Sequence, residues 1–170
     1  VSENGGIDTY QLSLQTVPTA AVEVTVSADP QSEVSIDGVN FASTAIFSRT
    51  DTTAQTVTVR AVDDSSQEGN HTSTISHAIT SSGDTTNYPT SMTIDPVIAT
   101  VADNDVPGVT LTETDGGTSV SEDGATDTYA IALDSVPAGA VQITVTADAQ
   151  SEVSSDGVSF ATTAVFDFND

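Results

Sequence analysis

The sequence predicts an all-β protein, an antiparallel Greek-key β-sandwich of about seven strands with an immunoglobulin-like plan. Three observations lead there. Apolar residues recur with period two in short runs, turn signals built from Gly, Asp and Pro separate the runs, and no segment carries the 3.6-residue period of an amphipathic helix.

The runs follow in order. Tyr10, Leu12 and Leu14 alternate with Gln11 and Ser13, and Val22, Val24 and Val26 alternate with Glu23 and Thr25. Ala45 and Phe47 mark a short strand, and Val57, Val59 and Ala61 alternate with Thr58 and Arg60. Ile75, His77 and Ile79 share one face, as do Val97, Ala99 and Val101, while Val109–Glu113 supplies a further strand. The breaks fall at Val17-Pro18-Thr19, Asp37-Gly38, Ser82-Gly83-Asp84 and Asp115-Gly116-Gly117, where Pro presets φ and Gly admits positive φ.

The chain also repeats itself. Residues 1–51 align without gaps on residues 120–170 at an offset of 119, and 30 of the 51 pairs are identical. So long a period is a whole domain and not a solenoid unit. Pro107-Gly108 sets the expected boundary: residues 1–106 form a repeat without its first strand, and 107–170 the N-terminal half of the next. The sequence opens and closes in mid-pattern, as expected of a window on a longer tandem array.

Composition narrows the function. The formal net charge is −23, with Arg49 and Arg60 as the only basic residues besides two histidines. Phosphates and anionic lipid surfaces would be repelled, so neither nucleic acid nor a membrane surface is an expected partner. No run of about 18 apolar residues is present to cross a membrane as a helix. Without cysteine there is neither a disulfide nor a thiolate metal site. No phosphate loop, zinc signature or Ser-His-Asp pattern is recognisable, and His71 and His77 read as packed strand residues, so no enzymatic activity is expected.

The acids cluster where strands end. Asp63 and Asp64 close the run ending at Val62, Glu68 follows in the loop, and Asp103 and Asp105 continue the inward register of Val97, Ala99 and Val101, with Asn104 pointing away. Glu3 precedes a Gly-Gly turn, and Asp37 and Glu33 lie in or beside the SIDGVNF loop. Two carboxylates about 4 Å apart repel by roughly 4 kcal/mol at an effective dielectric near 20. With so few bases, the expected relief is a hard cation. Calcium accepts about 6–8 oxygens in flexible geometry, whereas magnesium demands a tight octahedron and zinc favours His or Cys.

VSENGG, AVDDSSQEGN and VADND together resemble the Calx-beta domain, and the resemblance spans essentially the whole repeat. It implies Ca2+ at one end of the sandwich, held by Glu3, Asp63, Asp64, Glu68, Asp103 and Asp105, with Asp37 as the acid contributed from mid-domain. The second copy would offer only Glu122, Glu152 and Asp156 of such a set. The sequence departs from the family pattern at Asn104 and at Gly69-Asn70, where strong binders carry further acids, so fewer ions or weaker binding are expected.

These readings predict a non-enzymatic, calcium-binding repeat of a long extracellular or cell-surface protein, bacterial in origin. It would serve as an adhesin stalk, filament or surface-layer component, with calcium stiffening the junction between neighbouring repeats and possible self-assembly into fibres through strand edges. The competing expectations are a carbohydrate- or ligand-recognition module, for which Tyr88 is the one aromatic expected to be exposed, and a calcium-sensing domain of a transporter. Arg60 is expected to pair with Glu23 or another exposed acid.

Overall fold

The computed structural model describes residues 1–169. The chain divides into two compact units, Val1–Asp64 with Glu68–Asn104, and Ser65–Gln67 with Asp105–Asp170.

The first unit is a β-sandwich. Its strands are β1 (Ile7–Leu12), β2 (Val22–Ala28), β3 (Ser32–Ser35), β4 (Thr44–Arg49), β5 (Gln55–Ala61), β6 (His71–Ser82) and β7 (Ile94–Val101). They form two antiparallel sheets, ordered β1-β5-β3 and β4-β2-β6-β7. Period-two patterning decides which face turns inward. Val22, Val24 and Val26 of β2 and Ile75 and Ile79 of β6 face Val34 of β3 and Val57 and Val59 of β5, all of them buried, with Phe47 and Tyr88 completing the core. The outward positions between them, Glu23 and Thr25 or Thr74 and Ser76, remain at least partly solvated. Such a core stabilises each sheet by hiding one apolar face, at roughly 25 cal/mol per Å² removed from water.

β3 has no counterpart among the strands expected from the sequence. It is four residues long with one apolar side chain, Val34, between buried Ser32 and Ser35. Its pairing with β5 supplies what its pattern lacks: Glu33 sits directly opposite Arg60. Arg60 therefore pairs with Glu33, at 2.6 Å, while Glu23 accepts from the Thr80 hydroxyl. The Arg60 guanidinium also stacks 4.4 Å over Phe41.

β7 closes the larger sheet as an edge strand, the place where Pro96 is tolerated. Register slips there, since Ile75 opposes Val97 but His77 opposes Ile94, which leaves one extra residue in β7 as a bulge. The Asp95 carbonyl accepts from His77 Nδ1 at 3.1 Å, leaving Nε2 to accept from the Tyr10 hydroxyl at 2.6 Å. Burial pushes the His77 pKa down and the Tyr10 pKa up.

Tyr88 is corrected from an exposed loop aromatic to a core residue. It is 6 % exposed, and its hydroxyl donates to the Thr16 carbonyl at 2.6 Å and accepts from the Thr16 N–H at 2.9 Å. Its loop folds inward because Asp84, itself buried, accepts from the backbone N–H groups of Thr19 and Asn87.

The second unit contains β8 (Val109–Glu113), a 3-10 turn (Thr114–Gly116), β9 (Tyr129–Leu133), β10 (Val141–Thr146) and β11 (Thr163–Phe168). β8 pairs with β9 and β10 with β11, both antiparallel. Its details reproduce those of the first unit at the 119-residue offset. The Val153–Ala161 bridge matches Val34–Ala42, and Ile143 opposite Phe166 matches Val24 opposite Phe47.

This packing sets the cost of two substitutions. Ile75→Ala should cost roughly 2–5 kcal/mol in urea unfolding, because it opens a cavity in the core. Ile98→Ala, at a position 57 % exposed, should stay within about 0.5 kcal/mol. The neutral His77 contributes stability that is complete above its ordinary pKa of about 6.5 and is lost as pH falls from there toward its depressed folded value. Melting temperature should therefore drop more between pH 7 and pH 5.5 in the wild type than in His77→Gln.

Candidate metal centre

The site is built by loops at one end of the first unit. After β5 the chain carries Asp63 and Asp64 and returns at Glu68 to begin β6 at His71. Gly69 makes that return possible: its φ is +69°, in the left-handed region where a side chain is costly. The N–H groups of Glu68 and Gly69 donate to Asp103 Oδ2, at 2.8 and 2.5 Å. One carboxylate thus clamps the loop after β5 onto the segment that follows β7.

Glu3 enters from the N-terminal side. Its backbone N–H donates to the Ala102 carbonyl at 3.1 Å, and Ser2 bridges Ala102 in parallel. This draws the Glu3 side chain inward until it is 3 % exposed, with Oε2 accepting from the Asn104 N–H at 3.3 Å. A ligand atom from each of Glu3, Glu68 and His71 lies within 4.8 Å of the others, and a carboxylate oxygen of Asp103 lies within 4.8 Å of one from Glu3.

His71 is the member that sequence reasoning passed over. Its Nδ1 lies 2.9 Å from the Gly69 carbonyl, which can only accept, so Nδ1 carries the proton. Nε2 is then turned toward Glu68 Oε2, 3.6 Å away. A backbone carbonyl that fixes one imidazole nitrogen so that the other faces acids is the usual orientation of a metal-ligating histidine. The signal in the sequence was the Glu68-x-x-His71 spacing ahead of a strand, visible only once Gly69 is known to reverse the chain.

The other expected ligands divide. Asp63 and Asp64 are exposed, and Asp63 Oδ1 accepts from Asn104 Nδ2 at 3.3 Å. Asp103 and Asp105 are half-buried while Asn104 is exposed. Asp105 belongs to the second unit. Asp37 does not join the cluster. It accepts from the Ser35 hydroxyl, the Val39 and Asn40 N–H groups and the Asn40 side chain, all at 2.7–2.8 Å. The Asn40 N–H and side chain, with those other donors, hold its carboxyl well below the usual range. Asp156 repeats this turn with Ser154, Val158 and Ser159, and Glu122 and Glu152 are exposed. Asp37 and Asp156 are therefore spent on the local structure of their turns, a role that the Asp-Gly pattern also signals.

Neither arginine neutralises the cluster, because Arg60 is held by Glu33 and Arg49 by Gln55. Chemically, the arrangement is two to three carboxylates and one imidazole converging from separate loops, suited to a divalent cation.

No family model matches the chain, and neither a curated protein nor a solved structure matches it.

Asp103→Ala should release the loop after β5. Amide hydrogen exchange at Glu68 and Gly69 should accelerate at least tenfold, with little change at the core amides of β2. Gly69→Ala should cost about 1–2 kcal/mol, the penalty of a side chain in the left-handed region, read from urea unfolding.

Proposed function

We propose that the first unit is a non-enzymatic structural module that binds calcium at this pole, as a repeat of an extracellular or cell-surface protein. Glu3, Glu68 and Asp103 supply the central oxygens, with Asp63 and Asp64 as outer acids. The observation that carries this reading is the Glu3 carboxylate, 3 % exposed and within 4.8 Å of ligand atoms of Glu68 and His71. Burying a carboxylate beside another costs several kcal/mol, a cost that a divalent ion offsets. The resemblance to Calx-beta domains supports the same metal and the extracellular setting, with calcium stiffening the junction to a neighbouring repeat. The burial of Tyr88 weighs against a carbohydrate platform, which needs exposed aromatics.

His71 favours a second reading, in which the pole holds a borderline ion such as zinc or manganese. Imidazole is a good ligand for these and a poor one for calcium.

Calorimetric titration and thermal melting of the protein, stripped of metal, separate the two. A specific ion at about 100 times its Kd adds about 2.7 kcal/mol of stability. Millimolar calcium should raise the melting temperature, Glu3→Gln and Asp103→Ala should each abolish most of the rise, and His71→Gln should leave it intact. A zinc response that disappears in His71→Gln, with no calcium response, would select the second reading. Absence of heat and shift with both ions would sink the metal proposal.

A further inference from the structure

We propose that Asn4 is a self-modification site, at which the Gly5 backbone nitrogen displaces ammonia from the Asn4 side chain while the Ser2 hydroxyl stabilises the developing oxyanion. Neither the reaction nor its test involves a cation, so both stand whatever occupies the pole.

Asn4-Gly5 is the one Asn-Gly pair in the chain. Glycine has no side chain to shield its nitrogen, so the five-membered ring joining that nitrogen to the preceding Asn Cγ closes with little steric resistance. Both residues are exposed, and the space that a Cβ of Gly5 would occupy is open.

A tight turn over residues 2–6 adds a donor. The Ser2 N–H donates to the Gly6 carbonyl and the Gly5 N–H to the Ser2 carbonyl, both at 3.1 Å, with Gly5 at φ +96°. The Gly6 N–H donates to Ser2 Oγ at 3.0 Å, and Ser2 Oγ donates its own proton to Asn4 Oδ1 at 2.6 Å. Gly6 leaves room for this hydroxyl, because a Cβ there would collide with it. The donor is thus aimed in advance at the oxygen on which charge develops. Three other asparagines are held differently. Asn40 and Asn87 give their amide nitrogens to Asp37 and Asp84, and Asn104 gives its own to Asp63. They precede Phe41, Tyr88 and Asp105, whose side chains hinder ring closure.

The second copy carries the product of such a reaction. At the 119-residue offset the turn recurs over residues 121–125, with chain on both sides of it. The Gly124 N–H donates to the Ser121 carbonyl at 3.0 Å, and the Ala125 N–H to Ser121 Oγ at 3.4 Å. The residue in the place of Asn4 is Asp123, so the turn accommodates an aspartate.

The step balances without an oxidant or reductant. Hydroxide removes the Gly5 amide proton, which gives up the bond to the Ser2 carbonyl. The nitrogen forms a bond to Asn4 Cγ, and the carbonyl electron pair moves onto Oδ1. That oxyanion collapses, the Cγ–Nδ2 bond breaks, and ammonia leaves with a proton from water. Water then opens the succinimide at either carbonyl and leaves aspartate or isoaspartate at position 4. The product carries one more negative charge, next to the buried Glu3.

The test incubates the whole chain in chelator at mildly alkaline pH and follows position 4 by peptide mapping and mass spectrometry. Asn4 should convert to a mixture of aspartate and isoaspartate while Asn40, Asn87 and Asn104 remain amides, and the rate should rise with pH. Ser2→Ala should slow the conversion about fivefold, the loss of one hydrogen bond to the oxyanion. Ser2→Thr should keep the rate, and Ser2→Cys, a weaker donor of similar shape, should fall between. Melting temperatures establish that each variant is folded. In urea, wild type and Ser2→Ala should convert at one rate. An Asn4 that stays an amide while a free peptide of residues 1–6 converts overturns the proposal. So does a folded Ser2→Ala or Ser2→Cys chain that converts as fast as the wild type, or a difference between wild type and Ser2→Ala that persists in urea.

Discussion

The first unit depends on one interaction above the rest, the burial of the valines of β2 against those of β3 and β5 between two sheets. Val22, Val24, Val26, Val34, Val57 and Val59 are each at most 3 % exposed. β-Branched side chains fit a pleated surface and lose little rotamer freedom there, so a chain with 36 % hydrophobic residues and no tryptophan can still close a core. The polar residues inside are tied to that packing. Ser32 meets Ser73 across the sandwich at 2.5 Å, and Ser73 donates in turn to Asp29. His77 is satisfied at both nitrogens by Tyr10 and Asp95.

The second constraint is charge without bases. The structure answers it by giving carboxylates backbone N–H groups in place of lysines. Asp84 takes the Thr19 N–H, Asp127 that of Ser119, Asp148 that of Gln150, and Asp37 and Asp156 each take two in their turns. These bonds lower the pKa of each of the five, so the turns keep their ionised caps well into acid. At the pole that holds Glu3 the same device is stretched. Asp103 takes two N–H groups, but Glu3 and Glu68 face one another with an imidazole beside them. That imbalance sets the pole apart from the other acidic loops.

Much of the fold was legible because period two is a local signal. β2 and most of β6 follow their alternation residue by residue, and β5 does so except at the buried Thr58. What was missed had no local signal. β3 is a strand because β5 lies beside it. Tyr88 looked exposed because TTNYPT reads as loop, and its burial comes from Asp84 fastening that loop to Thr19. Asp37 looked like a ligand because only its charge was counted, whereas its oxygens serve the turn it opens. Gly69 looked like a missing acid and is the hinge that brings Glu68 and His71 together.

By itself the sequence determined the class of fold, the strand faces, the repetition at 119 residues and the excess of acid without base, since each is a matter of composition or of spacing along one strand. Tertiary structure alone decided which acids meet and that a histidine joins them. Those outcomes turn on loop reversals and strand neighbours between residues up to about a hundred positions apart, such as Glu3 and Asn104, and no local pattern encodes such a distance.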